Sequence, residues 1–241
     1  RVCVTDLVGL ANLKVETVQT YARPRVLLTT SGDELVDLHG PAPKFGQVID
    51  GNRVFLTAAI QPHVKRLTSA PRLKDTFDEI DDFIRQIEGM DVVVTCGGMS
   101  VGDFDLLGKH VRRRADILLY KIAMKPGKPV LVARIGSSIF VGLPGNPVST
   151  LVGFHLVLTP IIRLLSGSNS PFPSSKTMRL ARPLSAGGGR LEFLRAVTGE
   201  HTSDGQWVTP MAKQGSNAVS GSLGCDCLII RPKRQAALEA G

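Results

Sequence analysis

Apolar and polar residues follow two different rhythms along this chain. In the first, short β-branched or aliphatic runs end abruptly at glycine. Arg25-Val-Leu-Leu-Thr29 stops at Ser31-Gly32, Asp91-Val-Val-Val-Thr95 at Gly97-Gly98, and Ile139 to Leu143 at Pro144-Gly145; Val130 to Ala133 is a further run of the same kind. Each predicts a strand. Over residues 74–88, Phe77, Ile80, Ile84 and Ile87 fall on one stripe, with Asp78, Glu79, Asp81 and Asp82 elsewhere, the spacing of an amphipathic helix. From Val148 a nearly all-apolar helix is expected to run to about Leu165, bent at Pro160. Strands alternating with helices predict an α/β fold, a doubly wound, mostly parallel sheet with helices on both faces.

The rhythm changes after a Ser/Pro/Asn-rich stretch, Ser166 to Ser175, which reads as a linker. Thr177 to Arg182, Leu191 to Val197, Trp207 to Thr209 and Cys227 to Ile230 are short strands between glycine-rich turns, the pattern of a small all-β domain. The expected organisation is a short opening segment or linker at residues 1–22, 23–170 as the α/β domain, and 175–241 as the β domain. There is no internal repeat.

Composition narrows the partners. Hydrophobic residues at 43% and charged residues at 21% are those of an ordinary soluble globular protein. The net charge of +8 suits an anionic ligand, whereas aromatics at only 5%, with no interleaved Lys/Arg block, argue against nucleic acid. Cys3, Cys96, Cys225 and Cys227 form neither a C-x-x-C zinc spacing nor a disulfide framework, so a reducing, cytoplasmic setting is expected. No membrane span is expected, because the longest apolar run, Leu151 to Leu165, is interrupted by Gly153, His155, Pro160 and Arg163. The chain begins at Arg1 rather than Met, so its natural start is expected to lie upstream.

The candidate chemistry gathers at the strand ends. Ligands of open α/β sheets bind outside the carboxyl ends of strands, so the loops bearing Ser31 and Gly32, Gly97, Gly98 and Ser100, and Pro144, Gly145, Asn146 and Pro147 are expected to share one rim. Asn146 as cap and Pro147 in the first turn would aim a helix N-terminus at a phosphate there. There is no G-x-x-x-x-G-K-[ST] and no G-x-G-x-x-G, so the pattern is not a nucleotide signature. Lys121, Lys125 and Lys128 offer point charges suited to phosphate or to an oxyanion such as molybdate; the alternative is a solvated basic turn. Glu34 and Asp33, Asp75, and Asp105 or the equally placed Asp103 are glycine-flanked or helix-start carboxylates that can hold Mg²⁺, with a plain N-cap as the other reading of Asp75. Arg112 to Arg114, His155 in its apolar helix, and Cys225-Asp-Cys227 read as structural.

With these loops in place the chain resembles a known family. Arg25-Val-Leu-Leu-Thr-Thr-Ser-Gly-Asp-Glu-Leu35, Gly46-Gln-Val-Ile-Asp-Gly-Asn-Arg53, Asp91-Val-Val-Val-Thr-Cys-Gly-Gly-Met-Ser-Val-Gly-Asp103, Met124-Lys-Pro-Gly-Lys-Pro129 and Gly142-Leu-Pro-Gly-Asn-Pro-Val-Ser149 stand in the order seen in molybdopterin molybdenumtransferases, to which the C-terminal domain of gephyrin is similar. Arg190-Leu-Glu-Phe-Leu-Arg195 and Gln214-Gly-Ser216 resemble that family's terminal β domain. The resemblance implies binding of adenylylated molybdopterin, insertion of molybdate and Mg²⁺-dependent release of AMP. It carries Glu34, Asp75 and Asp105 to acidic catalytic and metal positions, Lys121 and Lys125 to the lysines, and Pro144 and Pro147 to the two prolines of the third loop. Cys96 departs from the family, where Ser or Thr-like residues are usual, and Thr30-Ser31 stands where Ser-Thr is more frequent. The family also has two preceding domains, of which residues 1–22 resemble only the last stretch.

As partners the resemblance implies a homodimer at full length, the molybdopterin adenylyltransferase and molybdenum enzymes. A rival reading is a non-catalytic molybdopterin-binding or scaffold module. The related single-domain adenylyltransferase is a nearer rival, opposed by the β domain and the Pro-Gly-Asn-Pro loop.

Overall fold

The structure, a computed structural model, describes residues 2–73, 76–99, 106–202 and 205–241, without the side chains of Phe77 and of residues 200–202. In chain order, helix α1 (Val4–Asn12) precedes strands β1 (Arg25–Thr30), β2 (Leu35–Val36) and β3 (Val48–Ile49), then helix α2 (Gly51–Ile60) and strand β4 (Arg66–Ser69). Helix α3 (Phe77–Gln86), strand β5 (Val92–Cys96), helix α4 (Leu106–Arg114) and strands β6 (Asp116–Tyr120), β7 (Met124–Lys125), β8 (Leu131–Ile135) and β9 (Ser138–Leu143) follow. Helices α5 (Pro147–Gly153) and α6 (Thr159–Leu165) lead to β10 (Arg179–Leu180), β11 (Leu191–Thr202), β12 (Gly205–Pro210) and β13 (Cys227–Arg231).

The apolar runs form the centre of a six-stranded sheet of order β4-β1-β5-β9-β8-β6. Its first four strands are parallel, and β8 and β6 add antiparallel pairs at one side. Period-two alternation explains why these runs are apolar at every position. Val26, Leu28, Val92, Val94 and Val141 pack on one face under Leu56, Ile60, Val152, Leu158 and Ile162 of the helices. Leu27, Val93, Leu131 and Phe140 pack on the other, under Ile80, Phe83 and Ile87 of α3 and Leu107 and Val111 of α4. Both faces are covered, as a parallel sheet requires.

The helix expected from Val148 to Leu165 is present, and its irregularity lies in the turn ahead of Pro160. Phe154–Leu158 form a widened π-type turn between α5 and α6. A proline ring at 160 crowds the carbonyl four residues back, at Leu156, and the wider turn relieves that clash. Taken as one helix, Pro147–Leu165 spans 19 residues and is long and apolar enough to cross a membrane, contrary to the expectation from its interruptions. Half of its surface is nevertheless packed on the sheet through Val152, Phe154, Leu158 and Ile162. His155, expected to be packed, is exposed and meets Phe154 edge to face, with ring centroids 5.0 Å apart.

The C-terminal strands form a second sheet of order β10-β12-β11-β13, with β7 also pairing with β11. β7 belongs by sequence to the α/β part, yet Met124 and Lys125 pair in parallel with Leu191 and Glu192. Below this sheet lies Arg195, 1% exposed, whose guanidinium donates to the carbonyls of Lys213 at 2.7 Å, Gly215 at 3.1 Å and Ala218 at 2.8 Å and to Ser222 Oγ at 3.0 Å. Those bonds fix the 213–222 loop, and its Ser216 carbonyl reaches back to the amide of Val148 in α5, at 3.4 Å.

Candidate functional site

The three glycine loops converge at the carboxyl ends of β1, β5 and β9. They enclose a cavity of about 390 Å³, lined by Ser31, Gly32 and Glu34, by Cys96, Gly97 and Gly98, and by Pro144, Gly145 and Asn146. Left-handed glycines make this close approach possible: Gly97 (φ +94) lies so near the first loop that a methyl group there would sit 2.3 Å from the Ser31 carbonyl oxygen. Ser31 N–H donates to Cys96 O at 2.9 Å and Gly97 N–H to Leu143 O at 3.1 Å, so the loops are tied to one another. The Gly97 amide is therefore committed within the chain. Among the described residues, the amides of Gly98 and Gly145 have no such partner and remain able to donate to an anion.

The floor of this cavity contains residues that sequence reasoning did not single out. Asp50, 3% exposed, accepts from Thr30 Oγ1 at 2.6 Å and from the Arg53 amide at 3.0 Å, which caps α2. Asn52 Nδ2 donates to Gly145 O at 2.7 Å and steadies the third loop. The Ile-Asp-Gly-Asn-Arg string was the available signal, since an Asp before a helical stretch reads as an N-cap. Asn146 precedes α5 as expected, but its side chain makes no capping hydrogen bond. Instead Thr150 Oγ1 donates to Pro144 O at 2.7 Å, and Val148 N–H is taken by Ser216.

Cys96, 2% exposed, donates its thiol to Pro144 O at 3.3 Å. Burial pushes its pKa up to about 12, against a smaller opposing effect of the Thr150 hydroxyl. A thiol that stays protonated is a poor nucleophile. We expect iodoacetamide at pH 8.5 to label exposed Cys3 while Cys96 stays unlabelled until the protein unfolds, as followed by peptide mass spectrometry. Equal labelling of the two in the folded state would refute this.

Of the carboxylates expected at the site, the structure brings Glu34 to this cavity, close over Gly32, where a methyl group would sit 2.8 Å from Glu34 Oε2; Asp50 is a second carboxylate in its lining. Asp33 is exposed and does not line it. Asp75, Ser100, Asp103 and Asp105 lie outside the described residues. Among the described residues no three His, Cys, Asp or Glu side chains cluster as metal ligands. Glu34 and Asp50 are still a donor set that fits Mg²⁺, which keeps most of its waters and takes only one or two carboxylates.

The lysine trio divides. Lys121 (φ 59) places Nζ 4.8 Å from the Tyr120 ring centroid and lines neither of the cavities described here. Lys125 and Lys128 enter a second, larger cavity of about 700 Å³ between the two sheets. Its far wall is Arg182, Arg190, Glu192, Gln214, Gly215, Ser216 and Arg231. Pro129 lines both cavities, and the first turns of the helix separate them, with Asn146 on one side and Ser149 on the other. The arrangement is thus two adjoining seats. One is built of glycine amides at strand ends, the other of cations. Of the arginines at the end of α4, Arg112 lies 4.7 Å from the Tyr120 ring centroid and Arg114 pairs with Asp81 at 2.7 Å, and none of Arg112 to Arg114 lines either cavity.

Comparisons with known proteins agree with this architecture. Residues 27–164 match the family described as a probable molybdopterin-binding domain, and residues 177–241 match the MoeA C-terminal region, domain IV. A molybdopterin molybdenumtransferase from Haemophilus influenzae is 31% identical over 238 residues, covering 96% of this chain and 58% of that protein. One from Nostoc sp. is 36% identical over 167 residues, covering 67% of this chain and 38% of that protein. The crystal structure of a molybdopterin biosynthesis MoeA protein from Pyrococcus horikosii, 25% identical, matches with a TM-score of 0.79 over 100% of this chain and 58% of its own. The chain therefore spans less than two thirds of each of these relatives.

Proposed function

The chain belongs to the molybdopterin-binding domain family, here followed by a MoeA-type C-terminal region, and from that premise we propose that it acts in molybdenum cofactor biosynthesis, joining an oxyanion to a phosphate-bearing pterin. The smaller cavity takes the phosphate end of adenylylated molybdopterin, and the larger one takes molybdate. The observation that carries this reading is their adjacency: Pro129 and the start of α5 form a common wall.

In this mechanism a molybdate oxygen or a water attacks the adenylyl phosphorus. A new oxygen–phosphorus bond forms, the bond to the pterin phosphate breaks, and the pterin phosphate keeps the electron pair; with water the products are AMP and a proton released to solvent, and with molybdate an adenylyl-molybdate that water then splits to AMP and molybdate. The amides of Gly98 and Gly145 and the positive end of the helix from Pro147 stabilise the charge that builds up there. Lys125 and Lys128 hold the oxyanion by charge at the shared wall. Glu34, with Asp75 and Asp105, would hold Mg²⁺, which supplies neutralisation of the phosphate oxygens.

The test separates the two seats. Lys128→Ala is expected to weaken molybdate binding by roughly 1.5–3 kcal/mol, the contribution of a charge-assisted contact, while leaving pyrophosphate binding unchanged. Gly98→Ala, which meets Ser31 Oγ at 2.8 Å, is expected to do the reverse. Calorimetric titration of both variants with both anions decides it. Equal loss of both anions in either variant would mean one seat rather than two.

A further inference from the structure

The larger cavity has one carboxylate among its cations. Lys125, Lys128, Arg182, Arg190 and Arg231 line it, and Glu192, 2% exposed, stands among them. Its two oxygens have unequal partners. Oε2 accepts from Arg231 Nε at 2.7 Å, and Arg231, itself only 9% exposed, is anchored a second time by donating to Ser185 O at 2.6 Å. Oε1 lies 3.1 Å from Lys125 Nζ, on a side chain that is 60% exposed. The Arg231 side of the triad is fixed by geometry and burial. The Lys125 side is held by one contact and opens on the cavity.

Burial alone would raise the Glu192 pKa, but the hydrogen bonds from Lys125 and Arg231 outweigh it and hold the carboxyl below its ordinary value. It is therefore charged at neutral pH. Backbone pairing of Glu192 with Lys125 places this charge at the same register as the lysine that an incoming anion needs.

We propose that Glu192 is a resident counter-anion that occupies Lys125 when the cavity is empty, and that oxyanion loading consists of Lys125 turning from Glu192 to the ligand. Glu192 is then a residue that sets affinity. It keeps Lys125 ordered, and it holds oxyanion binding weak enough for the ligand to pass on to the neighbouring phosphate seat. This inference rests on the reading of the larger cavity as the oxyanion seat.

A structural role and a counter-anion role make opposite predictions for Glu192→Gln. The amide keeps the shape and an acceptor for Arg231 but removes the competing charge. Titration of the purified chain with sodium molybdate is expected to show binding about tenfold tighter than wild type, the size of one unit charge removed from a partly screened site. The gain should vanish in Glu192→Gln/Lys125→Met, which should bind no more tightly than Lys125→Met alone. Glu192→Gln/Arg231→Gln leaves no buried charge unpaired, and because Arg231 is itself a cation of the cavity its reference is Arg231→Gln, against which it should show the same tightening, so an unfolded Glu192→Gln does not end the test. Binding that is unchanged or weakened in the folded variants overturns the inference while the oxyanion seat stands. No molybdate binding by wild type and by Glu192→Gln overturns the oxyanion seat and the inference with it.

Discussion

Gly97→Ala is expected to melt roughly 10 °C below wild type and to lose phosphate binding. The added methyl would sit 2.3 Å from the Ser31 carbonyl oxygen and 3.3 Å from its carbon, and Gly97 has φ +94, where a side chain is strained in any space. Backbone meets backbone, so no rotamer change relieves the clash. Neither partner is free to retreat, because Ser31 N–H is bonded to Cys96 O and Gly97 N–H to Leu143 O. Strain at a left-handed position and overpacking each cost about 1–3 kcal/mol, and each kcal/mol lowers the midpoint of a chain this long by about 2–4 °C. Gly136→Ala is the control: it has φ +58 but nothing within 4 Å, so only the conformational cost applies. Thermal melts by circular dichroism, with inorganic phosphate titrations beside them, measure both effects. If Gly97→Ala melts no lower than Gly136→Ala, the loops are not packed as described.

The second large effect concerns catalysis. Glu34→Gln and Asp105→Asn are each expected to lower Mg²⁺-dependent AMP release on the order of 100-fold, about 2.7 kcal/mol of barrier, in protein of the same length as its curated relatives. Both should spare pyrophosphate binding measured without Mg²⁺, since each removes a negative charge from an anion site. Lys125→Ala should do the converse and weaken molybdate binding. This division follows from where the charges act, the lysine on the anion and the carboxylates on the metal. Calorimetry with and without Mg²⁺, beside a chromatographic assay for AMP, reads both arms. Should Glu34→Gln lose metal-free anion binding outright, Glu34 is a ligand contact, and the metal role passes to Asp75, Asp103 or Asp105.

What could be read from the sequence depended on burial. β1, β5 and β9 are covered on both faces, so their runs are apolar throughout and stood out. β4 and β6 are edge strands: Arg66-Leu-Thr-Ser69 is mixed, and Asp116–Tyr120 is exposed at its first four residues, so neither carries a buried strand's pattern. α2 buries only Leu56 and Ile60, one pair four residues apart, too little for a periodic stripe to show. At the candidate site, glycines at strand ends pointed to the smaller cavity because each loop is local to its own strand. The larger cavity needs Lys125 and Glu192 side by side, and no local pattern announces a two-residue strand crossing into another sheet. The lysines were legible as a cluster of cations along the chain, but their separation in space was not. Lys121 sits at a left-handed position beside Tyr120, and the chain then turns before it delivers Lys125 and Lys128 elsewhere.

The pairing of β7 with β11 also constrains how the molecule can be taken apart. A cut in the Ser/Pro-rich stretch near Ser175 would look like a clean separation of two modules. It would instead strip Met124, 2% exposed, of its cover and leave an unpaired strand edge in both pieces. For the same reason a hinged opening of the larger cavity is opposed, because its walls are joined by main-chain pairing, with Leu191 N–H donating to Ala123 O at 3.2 Å. A ligand of that cavity would meet walls already in place, and little of its binding energy would be spent on closure.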